Sequence, residues 1–144
     1  MLDTFKAKGD VELIVRDSKG EIKKRDFVEN LIVNAGKELV AKRLVGDTLS
    51  AISKIKIGTG TNAPSATDTD LQTSYATQTA TVEYESDYKA KASATFSFTE
   101  TVAIREAGLF NGDTTPLLIS RVNISYDMNN GDSLQVVWRI SISA

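Results

Sequence analysis

The chain has no cysteine and no histidine among its 144 residues. The first absence excludes disulfides, thiolate nucleophiles and Cys-based zinc sites. The second removes the usual general base near neutral pH, the Ser-His-Asp arrangement and the commonest transition-metal ligand. Only carboxylates, lysine, tyrosine and hydroxyls remain for chemistry, so an enzyme is the least favoured class and no cofactor is expected. Proline occurs only twice, at Pro64 and Pro116, and tryptophan once. Seventeen Lys and Arg against 19 Asp and Glu leave a net charge of −2. That is too little positive charge for nucleic acid to be an expected partner. No apolar run approaches the ~18 residues of a membrane helix, and no signal-peptide pattern opens the chain, so neither a membrane nor secretion is expected.

What is present reads as one folded domain. Apolar residues make up 41% and charged residues 25%, the balance of a globular protein of this size. Residues 1–8 show no clear period and read as an N-terminal arm, leaving 9–144 as a single β-rich domain. Val11, Leu13 and Val15 then alternate with charged residues, the period of a half-buried strand. Asp17-Ser18-Lys19-Gly20 is turn chemistry, and a strand with Ile22 and Phe27 completes a hairpin. One amphipathic helix is predicted near residues 35–45. Asn34 is placed to cap it and Gly46 to end it, with Leu39, Val40 and Leu44 on the packing stripe.

Beyond the helix the period is two. Ile52, Ile55 and Ile57 mark a strand that ends at Gly58-Thr59-Gly60-Thr61, and a polar loop follows over 62–74. Further strands are predicted at 77–85, 90–98, 103–110, 117–126 and 134–142, with turns at Asn111-Gly112-Asp113 and Asn129-Asn130-Gly131-Asp132. Leu118, Val122, Ile124 and Tyr126 fall on one strand face, and Trp138 falls on the apolar face of the last strand. The prediction is a mainly β fold, a β-sandwich or jelly-roll-like barrel of about seven to eight antiparallel strands with one helix. The hydroxyl-rich stretches 77–81 and 93–99 read as poorly protected edges that a symmetry mate would cover, so a closed homo-oligomer is expected.

Each chemical constellation has a plainer reading. Gly58-Thr59-Gly60-Thr61 lacks the remaining residues of a dinucleotide or phosphate-loop motif and reads as a tight turn. Asp127, Asn129 and Asp132 miss the spacing and the closing Glu of a calcium loop. Asp68 and Asp70 read as solvated loop carboxylates. Glu83 and Glu85 sit two apart on one strand, where Lys89 and Lys91 pair them across a hairpin, unlike the facing carboxylates of a glycosidase. Arg105-Glu106-Ala107-Gly108-Leu109-Phe110 is the most unusual segment. Its charged pair runs into an apolar strand end, so a buried member must be paired. For metal and catalysis no residue is assigned.

Taken in order, three segments form a wider pattern. They are Asn30 to Lys37, then Ile55 to Thr61 with Ala63-Pro64 and Asp68-Thr69-Asp70-Leu71, then Glu106-Ala107-Gly108-Leu109-Phe110. With the Trp138 strand, this succession resembles small virion structural proteins of tailed bacteriophages. The resemblance covers most of residues 28–142. It implies a capsid decoration (cement) protein clamping head-shell subunits, or else a tail-fibre, collar or neck component. It also implies location in the virion, with capsid proteins as partners, and a trimer, since decoration proteins sit at three-fold positions. Met1, Leu2, Phe5 and Lys6 of the arm are the expected assembly contacts. A carbohydrate-binding module using Tyr75, Tyr84, Tyr88 or Trp138 is the alternative of another class.

Overall fold

Alternating apolar residues build two curved faces that enclose a common core in the computed structural model, which describes residues 6–143. The elements are β1 (Lys6–Arg16), β2 (Ile22–Ile32), α1 (Asn34–Leu44), β3 (Ile52–Gly58), β4 (Ser74–Thr79), β5 (Thr81–Glu85), β6 (Lys89–Ser97), β7 (Val102–Asn111), β8 (Leu118–Met128) and β9 (Ser133–Ser143). The strands form one antiparallel sheet in the order β4-β3-β7-β8-β2-β1-β9-β6-β5. Its two ends, β4 and β5, are consecutive in the chain and separated only by Ala80. The sheet therefore nearly closes into a barrel. The predicted strand 77–85 is thus two strands, one on each side of this corner, and the count is nine.

At the opposite side β2 makes the same transition. Its residues up to Asn30 pair with β1, while Leu31 and Ile32 pair with Arg121 and Ser120 of β8. Inside lie Val11, Leu13, Ile55, Ile57, Phe96 and Trp138, all 0–1% exposed. Burying each such side chain stabilises the fold by about 1.5–3 kcal/mol. The core of the last strand is as predicted, with Leu134, Val136 and Trp138 inward.

Several expectations need correction. Residues 6–8 of the arm belong to β1, which pairs Lys6 with Ser143 and Lys8 with Ser141. Met1, Leu2 and Phe5 lie outside the described residues. The stretch 93–97 is an edge only in part: β6 pairs with β9 along its whole length, but with β5 only from Lys89 to Ser93, so residues 94–97 have a ladder partner on one side alone. A register shift between Leu109 and Phe110, opposite Ile119, turns Leu118 out of the main core. Leu118 instead joins Val33, Leu71 and Phe110 in a second cluster on the outside of the sheet.

The helix has the expected range but not the expected contacts. Its N-cap is Val33, and no side chain caps it. The backbone N–H of Asn34 donates instead to Ala66 O at 2.9 Å. Gly36 and Leu39 are the buried helix residues. A Cβ at Gly36 would lie 2.4 Å from Ile119 O, so the helix rests on β8 through a glycine. Val40 is 38% exposed and Leu44 79% exposed, so most of the predicted packing stripe faces outward. Gly46 does end the helix, at φ +82°.

Candidate functional site

On β7 the inward side chains are Ile104, Ala107 and Leu109, which places Glu106 on the outer face of the sheet. It is nevertheless 0% exposed, because residues 59–73 lie over it. A buried carboxylate needs hydrogen bonds to every available lone pair, and Glu106 accepts five. Oε2 accepts the N–H of Gly60 at 2.7 Å and of Thr73 at 2.8 Å. Oε1 accepts the N–H of Gln72 at 2.8 Å and Nε and Nη2 of Arg121 at 3.2 and 3.0 Å.

Arg121, on β8, is itself 2% exposed. Its remaining donors reach Asp68 Oδ2 at 3.1 Å and Asn62 O at 3.0 Å. The loop is tied further by Gln72 Oε1, which accepts from both Thr61 N–H and Asn62 N–H at 2.8 Å. Asp68 also accepts the N–H of Ser65 at 2.8 Å. Lys56 Nζ lies 4.4 Å above the Phe110 ring and 3.3 Å from Asp70 Oδ1. One carboxylate and one guanidinium thus fasten a 15-residue loop, 59–73, to the barrel wall.

The glycines of the Gly-Thr-Gly turn follow from this close approach. A Cβ at Gly58 would meet Thr73 O at 2.3 Å, and one at Gly60 would meet Glu106 Oε2 at 2.3 Å. The turn reading is therefore right, for a reason the motif did not carry. Of the pair Arg105 and Glu106, Glu106 is the buried member, and its partner is Arg121. Arg105 points outward to Asp127 at 2.7 Å.

With its lone pairs committed to five donors, Glu106 acts as an anchor; the arrangement orders backbone and leaves a substrate no place at the carboxylate. The sequence reading missed Arg121, Gln72 and the pairing role of Asp68. A signal for Arg121 was present: it is the one charge in the apolar run from Leu117 to Ile124, and a buried acid requires a cation.

The other candidates are dispersed. Asp132 turns back into its own hairpin, accepting Asn129 N–H at 2.9 Å and pairing with Lys23 at 3.1 Å. Lys91 pairs with Glu83 at 3.4 Å and Glu85 at 3.7 Å, as the hairpin reading requires. Among the described residues no group of three or more Asp or Glu is placed to hold a metal ion. Trp138 is 0% exposed, and Tyr75 stacks on Phe98 with ring centroids 6.1 Å apart. Tyr84 and Tyr88 are 71% and 72% exposed. Lys6 is exposed at the start of β1. Compared with known proteins, the chain matches no protein-family model, no curated protein and no solved structure.

Proposed function

We propose that the chain is a structural subunit of a tailed-phage virion, a head decoration protein that works by association and carries out no reaction. The observation that supports this reading most is where the resembling segments meet. Gly58 to Thr61, Asp68 to Leu71 and Glu106 to Phe110 are far apart in sequence, yet they converge on the Glu106–Arg121 anchor. A shared pattern then has a physical basis: it specifies a rigid loop fixed to a barrel wall. Such a loop holds its outward residues, including Ala63 and Thr67, in one arrangement without a large ordering cost on binding. In this reading the partners are shell proteins and other copies of the chain, in a trimer, and the location is the virion. A tail-fibre, collar or neck position is the nearest alternative.

Immunogold electron microscopy on particles of the phage that encodes the chain tests the proposal. Label over the head is expected. Label confined to the tail end selects the fibre or collar alternative, and unlabelled particles overturn the virion reading.

A carbohydrate-binding role draws on one specific observation, the exposed rings of Tyr84 and Tyr88 on a single hairpin. Buried Trp138 offers that role nothing, so weak quenching of its fluorescence by iodide is expected. Saturation-transfer NMR showing sugar contacts at both tyrosines would favour it over decoration.

A further inference from the structure

An apolar surface lies away from the anchor, at the end of the barrel where β1 begins and β9 finishes. Residues Val82 and Tyr84 of β5 stand in register with Ala92 and Ala90 of β6, which in turn pair with Trp138 and Ile140 of β9. These rows continue the inward, apolar face of the sheet. At Tyr84 the opposite wall no longer covers it, and helix α1 stands there instead. The result is a run of three adjoining hollows. The first, about 310 Å³, lies between Ala7, Ile32, Val40 and Ile140. The second, about 430 Å³, lies between Val40, Tyr84, Tyr88 and Ile142. The third, about 270 Å³, continues past Ile52, Val82 and Tyr84.

Two independent features mark this face as more than uncovered core. The first is backbone strain at its rim. The three-residue β5–β6 turn, Ser86 to Tyr88, holds Asp87 and Tyr88 both at φ +65°, the left-handed region that hairpin turns normally fill with Gly or Asn. A bulky side chain there is an outlier. Strain of this kind persists where surrounding structure or function requires the residue. Here it holds the Tyr88 ring over the second hollow, while Tyr84 Oη accepts the Tyr88 N–H at 3.2 Å.

The second feature is extent. Leu44 lies one helical turn beyond Val40 on the same stripe, and it is 79% exposed. From their fractional exposures, Leu44, Val40, Val82, Tyr84 and Tyr88 together present roughly 600 Å² of surface, the two tyrosine hydroxyls included. That is the upper end of what monomers leave uncovered, about 300–600 Å², and it approaches the ~800 Å² that each partner contributes to a standard interface.

We infer that this face is the contact between copies of the chain, with the α1 stripe and the Tyr84–Tyr88 hairpin of one copy covered by a second copy. The inference is independent of where in a particle, if in any, the assembly resides. Its chemistry is apolar and aromatic burial, the usual composition of interface centres.

Light scattering on the full-length protein across a dilution series tests it. An oligomer at micromolar concentration is expected. Leu44→Asp and Tyr88→Lys are each expected to weaken association by roughly 30-fold or more, the effect of a hot-spot residue. Both sites are exposed, so the fold should survive, and a circular dichroism melt verifies this. Tyr88→Gly separates the contact from the strain: it is expected to raise the melting temperature while weakening association. A monomer at every concentration overturns the inference, as does an oligomer indifferent to Leu44→Asp and Tyr88→Lys. Association that appears only after residues 1–5 are deleted also overturns it, since the face would then be covered by the chain's own N-terminal residues. Sugar binding at Tyr84 and Tyr88 by a strictly monomeric protein does the same.

Discussion

On the outer face of the sheet formed by β2, β1 and β9, Glu12 accepts Arg25 Nε at 2.7 Å and Arg139 Nη1 at 3.3 Å, and Arg139 Nε reaches Glu85 Oε1 at 2.9 Å. On the outer face of β7 and β8, Glu106 accepts Arg121 at 3.0 Å. The functional groups are the same and the distances similar, but the surroundings differ. The Arg25 side chain is 53% exposed, whereas that of Arg121 is 2% exposed. On the first face Glu12 is itself 5% exposed, but Arg25 reaches it from solvent and Arg139 is a second cation beside it. On the second, a loop supplies three backbone N–H donors in place of water. The loop stays over the pair because of the pair, and the pair is buried because of the loop. Burial of an ion pair is weak evidence for net stabilisation, but it makes each partner hard to remove singly. The anchor is therefore best understood as specifying loop position.

Breaking one partner on each face should separate the two most strongly. Arg121→Ala leaves Glu106 as an uncompensated buried carboxylate and is expected to cost about 3–5 kcal/mol in urea unfolding. Arg25→Ala removes a half-exposed cation and leaves Glu12 paired with Arg139, and is expected to cost about 1 kcal/mol or less. Equal, small shifts for the two would contradict the burial of Glu106. A milder disruption touches no charge. Gly60→Ala puts a methyl group 2.3 Å from Glu106 Oε2 and 2.4 Å from Gln72 Cβ, so the loop must shift, at a cost of about 1–3 kcal/mol. Limited proteolysis should then cut within residues 61–70 faster than in the unaltered protein. Unchanged cleavage would show that the loop is not held by this contact.

The same contrast explains what could be read from the sequence. Wherever a face meets water on one side and core on the other, alternation carries the information, and strands such as β1 and β9 are legible with their inward residues. The split at Ala80 was not legible, since a corner between two sheet edges leaves the hydroxyl-rich alternation from Thr77 to Thr81 unbroken. The outer face of β7 and β8 defeated the pattern for another reason. Gly58, Gly60, Asp68, Gln72 and Arg121 acquire their roles through contacts spanning up to 59 residues. Short motifs do not encode such contacts. The helix misled in its own way: a glycine, which contributes nothing to a hydrophobic stripe, makes the close contact with β8, and of the stripe only Leu39 is buried.

The smallest expected effect concerns a carboxylate between these extremes. Asp132 is 5% exposed, but its cation, Lys23, reaches it from solvent with a side chain 41% exposed. Burial alone would push the Asp132 pKa up. The Asn129 N–H and the Lys23 ammonium outweigh that and hold it below the ordinary 3.8. A carboxylate depressed in the folded state contributes stability that is fully present above the unfolded value and is lost as pH falls through the folded one. Asp132→Asn is therefore expected to be less stable than the unaltered protein at neutral pH. The gap should narrow from about pH 4 downward, because the unaltered protein loses its advantage as Asp132 takes up a proton. Glu85, depressed chiefly by its hydrogen bond to Arg139, should give the same sign in Glu85→Gln, with a smaller change on its hydrated face. Urea midpoints measured across this pH range decide the matter. A gap for Asp132→Asn that stays constant into acid would mean that the turn is held by the shape of the side chain and not by its charge.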